Sequence, residues 1–146
     1  IAFHEIYQPG LWAVEVDQGQ IEQVILNLYL NACQAIHDKG HLTVKTENMR
    51  LDKNTASSFD LKTGKYVKIS VIDTGIGMDS QVRQRIFEPF FTTKEVGKGS
   101  GMGLASAFGI IKNHKGFIDC LSKKDKGSTF SLYLPATHLS VVEDRD

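Results

Sequence analysis

Cysteine, long apolar runs and an excess of either charge are scarce or missing in this 146-residue sequence. The two cysteines, Cys33 and Cys120, are far apart and have no companion at metal-ligand spacing, which argues against a zinc site and a disulfide framework and favours free thiols. Lysine plus arginine and aspartate plus glutamate number 17 each, so the chain lacks the basic excess of a general nucleic-acid surface. No apolar run approaches the length that spans a bilayer. We therefore expect one globular domain without nucleic-acid or direct membrane contacts.

Hydropathy patterns predict five strands and three helices. Alternation of apolar and polar residues, which is typical of strands, occurs at 11–17, 41–51, 65–73, 116–122 and 127–135. Helical patterns cover about 18–38, after a capping-box spacing from Asp17 to Gln20, and then 80–86 and 102–114. The expected fold class is α+β, a two-layer sandwich whose mixed, mostly antiparallel sheet of about five strands is covered on one face by about three helices.

The segment GKGSGMGL at 97–104 has glycine at alternate positions and raises the question of a phosphate-binding loop. A Walker A loop needs Ser or Thr after its lysine, and here Gly99 follows Lys98. A Rossmann fingerprint fails because Met102 and Leu104 stand where its last glycine would fall, and the protein-kinase loop fails on the same spacing. What remains is a glycine-rich segment that leads into a helix N-terminus, either as an anion site or as a simple turn.

The long predicted helix contains Asn27 and Asn31 four positions apart, so both share one face, which Gln34 extends. Asparagine is a mediocre helix former, and two of them in an apolar helix need an explanation. Amide oxygens can ligate Mg²⁺ together with water and phosphate oxygens. A polar seam that faces solvent explains the same residues, and the helix alone does not decide between the two.

Asp73 ends a predicted strand and is followed by Thr74 and Gly75, with a second glycine at Gly77. A carboxylate at the mouth of a strand can accept a hydrogen bond from the exocyclic amine of adenine, and nearby glycines let a flat ring approach the backbone. The same Asp-Thr-Gly triplet is the signature of aspartic proteases, which need a second such carboxylate and a nearly all-β fold. An aspartate in a tight turn is the third interpretation.

Five segments, in order, resemble the sequence boxes of the ATP-binding catalytic domain of sensor histidine kinases, in the GHKL superfamily shared with gyrase-type, chaperone and mismatch-repair ATPases. NLYLNACQA resembles the N box, DTGIGM the G1 box, FEPFFTTK the F box, GSGMGL the G2 box and GSTFSLYLP the last glycine motif. The resemblance runs from about Val14 to Pro135, and its wording is most like kinases of the hybrid branch, which often have a receiver module downstream. It implies a Bergerat-type ATP-binding fold with a lid at 87–101.

The resemblance also implies roles for single residues in binding ATP and Mg²⁺. Asn31 would coordinate Mg²⁺, with Asn27 beside it against phosphate or metal-bound water, and these two would be the catalytic residues. Asp73 would hold the adenine amine, supported through water by Thr129. The other implied nucleotide contacts are Gln34, Gly75, Gly77, Met78, Phe90, Thr93, Lys94, Lys98, Gly99, Ser100, Gly101, Met102, Gly103 and Leu104.

One position separates kinases from ATPases within this superfamily. In gyrase-like relatives, a glutamate four residues before the Mg²⁺-binding asparagine is the general base for water, whereas this chain has Asn27 there. An amide cannot take a proton at neutral pH. The resemblance therefore favours a protein-histidine kinase domain that transfers the γ-phosphate of Mg·ATP to a histidine on a separate helical domain. A GHKL-type ATPase or a serine protein kinase is the alternative, and an aspartic protease is a remote one.

The resemblance implies domain boundaries and partners as well. We expect residues 1–136 to form the ATP-binding domain and 137–146 a linker or tail, in a piece of a longer protein. The expected partners are the phosphoacceptor helical hairpin of the same kinase, which would make the homodimer, and the receiver domain of a response regulator. The domain alone is not expected to autophosphorylate. Its expected location is cytoplasmic, including the cytoplasmic part of a membrane-bound sensor.

Overall fold

A computed structural model describes residues 1–37, 39–88 and 103–137 of the chain. The strands within these ranges are β1 (Ala2–Tyr7), β2 (His41–Leu51), β3 (Gly64–Asp73), β4 (Phe117–Lys123) and β5 (Gly127–Pro135). The helices are α1 (Gln18–Ala35), α2 (Lys53–Ser58), α3 (Ser80–Arg83) and α4 (Gly103–Asn113). Of the helices in this part of the chain, none has the length and apolar character needed to cross a membrane.

Helix α1 begins where its cap predicts. The side chain of Asp17 accepts a hydrogen bond from the backbone N–H of Gln20 at 3.0 Å, which satisfies one of the unpaired donors of the first turn. The helix ends at Ala35, three residues earlier than the pattern predicts, because Ile36 adopts an extended conformation. The buried residues of α1 recur every three or four positions and so form one apolar face: Ile21, Val24, Leu28 and Ala32.

The strands form one mixed sheet in the order β1-β2-β3-β5-β4. Strand β1 runs parallel to β2, and the other three neighbouring pairs are antiparallel. The β2–β3 register runs from Leu42 opposite Asp73 to Leu51 opposite Gly64. The mixed, mostly antiparallel five-stranded sheet is confirmed, as are the two predicted hairpins.

The two faces of the sheet are covered differently. The larger core lies between the sheet and helices α1 and α4, and it includes Leu132 and Leu134, both fully buried. Because neighbouring residues of a strand point to opposite faces, Tyr133 lies on the other face. There it joins a smaller cluster in which Ala56 of α2 packs against Leu51. Helices α1, α3 and α4 therefore share one face, and the short α2 covers part of the other.

Three local predictions were wrong. Residues 11–17 form no strand, since only Val14 makes an isolated bridge, to Ala136. The fifth strand is β1, whose residues are all exposed and therefore show no pattern of burial. The predicted loop at 52–64 contains α2, a helix of six residues capped by the side chain of Asp52. Such short or exposed elements depend on their tertiary neighbours more than on periodicity.

The two cysteines are free thiols, as predicted. Cys120 is buried in the core of the sheet, and burial raises the pKa of its thiol to about 12. A thiol that stays protonated is a poor nucleophile and a poor metal ligand. Cys120 is therefore a packing residue.

Replacing Leu132 by alanine tests the position of the core. Leu132 is fully buried in β5, so we expect Leu132→Ala to lower the free energy of unfolding by about 2–5 kcal/mol through the cavity it leaves. Leu121 in the adjacent strand is 65% exposed, and Leu121→Ala should change it by no more than about 0.5 kcal/mol. Urea denaturation measures both. Equal losses in the two variants would contradict the assignment of the buried face.

Candidate functional site

Asn27 and Asn31 lie on one face of α1, and both are half-buried. The side-chain amide of Asn27 donates a hydrogen bond to the backbone oxygen of Gly103 at 3.2 Å. Gly103 is the first residue of α4, so Asn27 connects the middle of α1 to the start of α4. Gln34, one turn beyond Asn31, is exposed. Of the predicted stripe, Asn27 is the member that contacts the N-terminal end of α4 in the described residues.

Asp73 is the last residue of β3 and is only 6% exposed. One carboxylate oxygen accepts the backbone N–H of Gly75 at 2.8 Å. Burial raises the pKa of Asp73 above its ordinary value, although the backbone N–H groups of Gly75 and Ser128 partly oppose this shift. A buried carboxylate that accepts so few hydrogen bonds is stabilised in its ionised form by a further donor, such as an amine of a ligand.

The loop after Asp73 packs backbone against backbone. A Cβ on Gly75 would lie 2.5 Å from the carbonyl oxygen of Ala35, so glycine is required for this approach to the end of α1. Gly77 has a φ of +64°, and a Cβ there would collide with the carbonyl oxygen of Lys123. Both glycines therefore fix the loop between α1 and the β4–β5 hairpin.

A pair of serines on the hairpin, missed in the sequence, completes this region. The backbone N–H of Met78 donates to Oγ of Ser122 at 2.8 Å, and that oxygen lies 2.8 Å from Oγ of Ser128. Ser128 is buried and pairs with Asp73 in the β3–β5 register. The alternation of buried Phe130, Leu132 and Leu134 along β5 could have placed Ser128 on the same face.

Thr129 follows Ser128 in β5, and its side chain is directed to the opposite face of the sheet. It pairs with Ile72 in the register, and alternation directs its side chain to the face of the sheet that holds Tyr133. The structure therefore does not bring the Thr129 hydroxyl together with the Asp73 carboxylate. An open pocket of about 540 Å³ at this end of the sheet is lined from both faces, with Asp73 and Ser128 on one and Thr129 on the other.

The side-chain ligands in this region suit a magnesium ion whose remaining ligands are water and phosphate oxygens. Within residues 1–37, 39–88 and 103–137, no three His, Cys, Asp or Glu side chains converge as a metal site. The Asn31 amide is neutral and half-buried, and in the described ranges no side-chain hydrogen bond engages it. Mg²⁺ binds such an oxygen together with water and phosphate oxygens and seldom uses a cage made only of protein ligands. A single amide oxygen from Asn31 is therefore compatible with this ion.

The predicted lid lies largely outside the described residues. The predicted contacts that fall there are Phe90, Thr93, Lys94, Lys98, Gly99, Ser100, Gly101 and Met102. Gly103 and Leu104 are described, and Leu104 packs against the larger core at the start of α4. The described site consequently consists of α1, the loop after β3, the β4–β5 hairpin and the start of α4.

Comparison with solved structures defines the class of this domain. The catalytic domain of histidine kinase ThkA, in a nucleotide-free form, matches with a TM-score of 0.73 and 29% identity over 92% of this chain and 78% of that chain. ThkA in complex with the response regulator protein TrrA matches with a TM-score of 0.69 and 27% identity, over 92% of this chain and 34% of that chain. The fold is that of histidine kinase catalytic domains.

Sequence comparison shows the family. The model of the histidine kinase-, DNA gyrase B-, and HSP90-like ATPase family matches residues 16–138, and the chain belongs to this family. The sensor kinase CckA of Brucella abortus is 48% identical over 126 residues, which are 86% of this chain and 13% of that kinase. The chain thus spans a small part of the length of this relative.

The raised pKa of Asp73 predicts a pH-dependent gain in stability for Asp73→Asn. The pKa of Asp73 is higher in the folded than in the unfolded state. Ionisation therefore destabilises the wild type as the pH rises from the unfolded-state pKa through the folded-state pKa. Asparagine stays neutral, so its melting temperature relative to wild type should be higher at pH 7 than at pH 3, where Asp73 is protonated in both states. Thermal melts at both pH values measure this, and a difference that is equal or reversed would contradict the assignment.

Proposed function

We propose that this chain is the ATP-binding catalytic domain of a sensor histidine kinase, and that it transfers the γ-phosphate of Mg·ATP to a histidine on a separate helical domain. The observation that carries the proposal is one arrangement of three features. The buried carboxylate of Asp73 ends a strand, a glycine-dependent loop follows it, and the Asn27 amide, one turn before Asn31 on the same face of α1, bonds to the start of α4. The similarity to CckA and ThkA supports the same function.

Asp73 is suited to bind the adenine amine through one carboxylate oxygen. The carboxylate also accepts the backbone N–H groups of Gly75 and Ser128, and its remaining lone pairs offer a fixed acceptor for the exocyclic N–H of the base. Ser128, rather than Thr129, is the hydroxyl we assign to support this contact, because Ser128 shares the face and the register position of Asp73. Gly75 and Gly77 have no side chain and pack directly against the backbone of Ala35 and Lys123. The loop therefore leaves room for the adenine ring beside it.

Asn31, Asn27 and the N-terminal end of α4 are suited to the metal and phosphates. Mg²⁺, when bound with ATP, would neutralise phosphate charge and would be held by the Asn31 amide oxygen. Helix α4 begins at Gly103, next to Asn27, and a helix N-terminus attracts anions through its N–H groups and dipole. The predicted contacts from Lys94, Lys98 and the glycines that precede α4 remain part of this proposal.

Asn27 favours phosphoryl transfer over hydrolysis. Its NH₂ group donates to the Gly103 backbone, and its oxygen can accept a hydrogen bond but cannot hold a proton at neutral pH. Water would therefore lack a general base from this position. In the proposed transfer, an imidazole nitrogen bonds to the γ-phosphorus, the bond from that phosphorus to the β–γ bridging oxygen breaks, and ADP leaves. Such a step depends on positioning and charge neutralisation more than on a base.

The proposed partners follow from the rest of such a kinase. The phosphoacceptor hairpin of the parent protein would supply the histidine and the dimer contact, and a response regulator would receive the phosphate. A solved complex of ThkA with the response regulator protein TrrA supports the second partner. We further propose that 1–136 is the folded unit, that 137–146 is a linker or tail, and that the domain works in the cytoplasm.

Ser128→Ala and Thr129→Val separate the two candidate hydroxyls. Ser128→Ala should weaken ATP binding by roughly 2- to 10-fold, the effect of losing one hydrogen bond of about 0.5–1.5 kcal/mol. Thr129→Val keeps the shape of the side chain and should leave affinity unchanged, because its hydroxyl lies on the opposite face. Calorimetric titration with Mg·ATP measures both. A larger loss in Thr129→Val would return the role to Thr129.

Incubation with γ-labelled ATP and a purified phosphoacceptor hairpin from a CckA-type kinase tests the proposed reaction. We expect acid-labile, base-stable phosphate on the hairpin and none on this chain alone. Asp73→Asn should abolish transfer, because either orientation of the amide puts an NH₂ group against the Gly75 N–H or against the adenine amine. Asp119→Asn, on β4 with its carboxylate bonded to the Cys120 N–H, is the matched control that should retain transfer. Free phosphate without phosphohistidine, or acid-stable phosphate, would contradict the proposal.

A further inference from the structure

Two exposed histidines meet on adjacent strands at the edge of the sheet. Nε2 of His4 in β1 lies 2.9 Å from Nδ1 of His41, the first residue of β2. The ring centroids are 5.1 Å apart and the planes are 29° from parallel, so the two nitrogens point toward each other. Both side chains are exposed. The function proposed above uses neither imidazole.

The backbone around the pair is fixed by hydrogen bonds. His41 donates its N–H to Oγ1 of Thr74 at 2.9 Å and accepts the N–H of Thr74 at 3.1 Å. The N–H of Ala2 bonds to the oxygen of Gly40 at 2.8 Å, at the start of the β1–β2 ladder. The register pairs Ala2 with His41 and His4 with Thr43, so the two histidines are diagonal neighbours on one face of the ladder and bind one ion without a rearrangement of the backbone.

We propose that His4 and His41 form a binding site for one divalent transition-metal ion of the class that prefers imidazole, such as Zn²⁺, Ni²⁺ or Cu²⁺. The ligand atoms are Nε2 of His4 and Nδ1 of His41, and water completes the coordination at this open surface. Imidazole nitrogen suits these ions, whereas Mg²⁺ prefers oxygen. The site is therefore chemically separate from the Mg·ATP site.

The distance between the two nitrogens fits this coordination. Two nitrogen ligands about 2.1 Å from one ion are about 3 Å apart at a right angle and about 3.4 Å apart at the tetrahedral angle of zinc sites. The nitrogens lie 2.9 Å apart and point toward each other, so each exposed ring turns by roughly 45° to aim its lone pair at one ion beside the pair. The ring that donates the shared hydrogen takes its other neutral tautomer, which leaves the total number of bound protons unchanged.

A metal ion at this site would link β1 to β2 and so stabilise the position of β1 in the sheet. Within the described residues, strand β1 lies at the edge of the sheet and pairs only with β2, and none of its own residues is buried. An ion held by one side chain from each strand adds a link that exists only in the folded state, so it stabilises that state. The link also includes the residue hydrogen-bonded to Thr74, directly after Asp73.

Calorimetric titration of the untagged, metal-free chain with Zn²⁺ and with Ni²⁺ at pH 7.5 tests the proposal. We expect one ion per chain and a rise in melting temperature on adding either ion. His4→Gln and His41→Gln should each abolish the binding heat and the thermal shift. His37→Gln, which changes another exposed histidine, should leave both unchanged.

Three results would overturn the site: no binding heat in the wild type, binding that survives in either glutamine variant, or one ion per two chains. Circular dichroism of the two variants without metal should match the wild type, because the imidazoles are exposed and the ladder bonds are made by the backbone. If a glutamine variant unfolds, His4→Asn and His41→Asn replace it in the same titration, with the same expected loss.

Discussion

The site depends on a loop of bare backbone packed between α1 and the β4–β5 hairpin. Gly75 lets the chain approach the carbonyl oxygen of Ala35, and Gly77 lets it approach that of Lys123 at a positive φ. Hydrogen bonds hold this approach, including that from the N–H of Ile76 to the oxygen of Ala35 at 3.0 Å. No side chain intervenes at these two glycines, so the end of α1, the mouth of β3 and the hairpin turn have one fixed spacing. That spacing determines where the Asp73 carboxylate can meet a ligand.

Much of this arrangement could be predicted from the sequence where local chemistry decides it. The cap at Asp17, the periodicity of α1 and the alternation in the two hairpins each act over a few residues, and the structure confirms them. Strand β1 could not be found in this way, because its partner β2 lies some 40 positions along the chain and its own residues are all exposed. Thr129 and Ser128 show a different limit. Residue type alone does not separate the two hydroxyls, whereas the alternation of β5 directs them to opposite faces of the sheet, and a one-residue shift reverses the face.

Stability and the proposed function make opposite demands at this site. Burial disfavours the ionised form of Asp73, which is the form that can accept the Gly75 N–H with one oxygen and an amine with the other. Asn27 and Asn31 are poor choices for a half-buried helix by propensity alone. Such exceptions are expected where a sequence serves a ligand as well as a fold. The core that tolerates them is continuous around α1 and α4, with Val24, Leu28 and Ile111 almost completely buried.

The central claim is that Asp73 recognises the exocyclic amine of adenine, and a comparison of ATP with inosine triphosphate tests it most directly. Inosine triphosphate has an oxygen in place of that amine and is otherwise closely similar, so it would set an acceptor against the Asp73 carboxylate. Calorimetric titration of the wild-type chain with each Mg·nucleotide should give at least about tenfold tighter binding for ATP, since a hydrogen bond to a charged group contributes about 1.5–3 kcal/mol. Equal affinities for the two nucleotides would contradict the account.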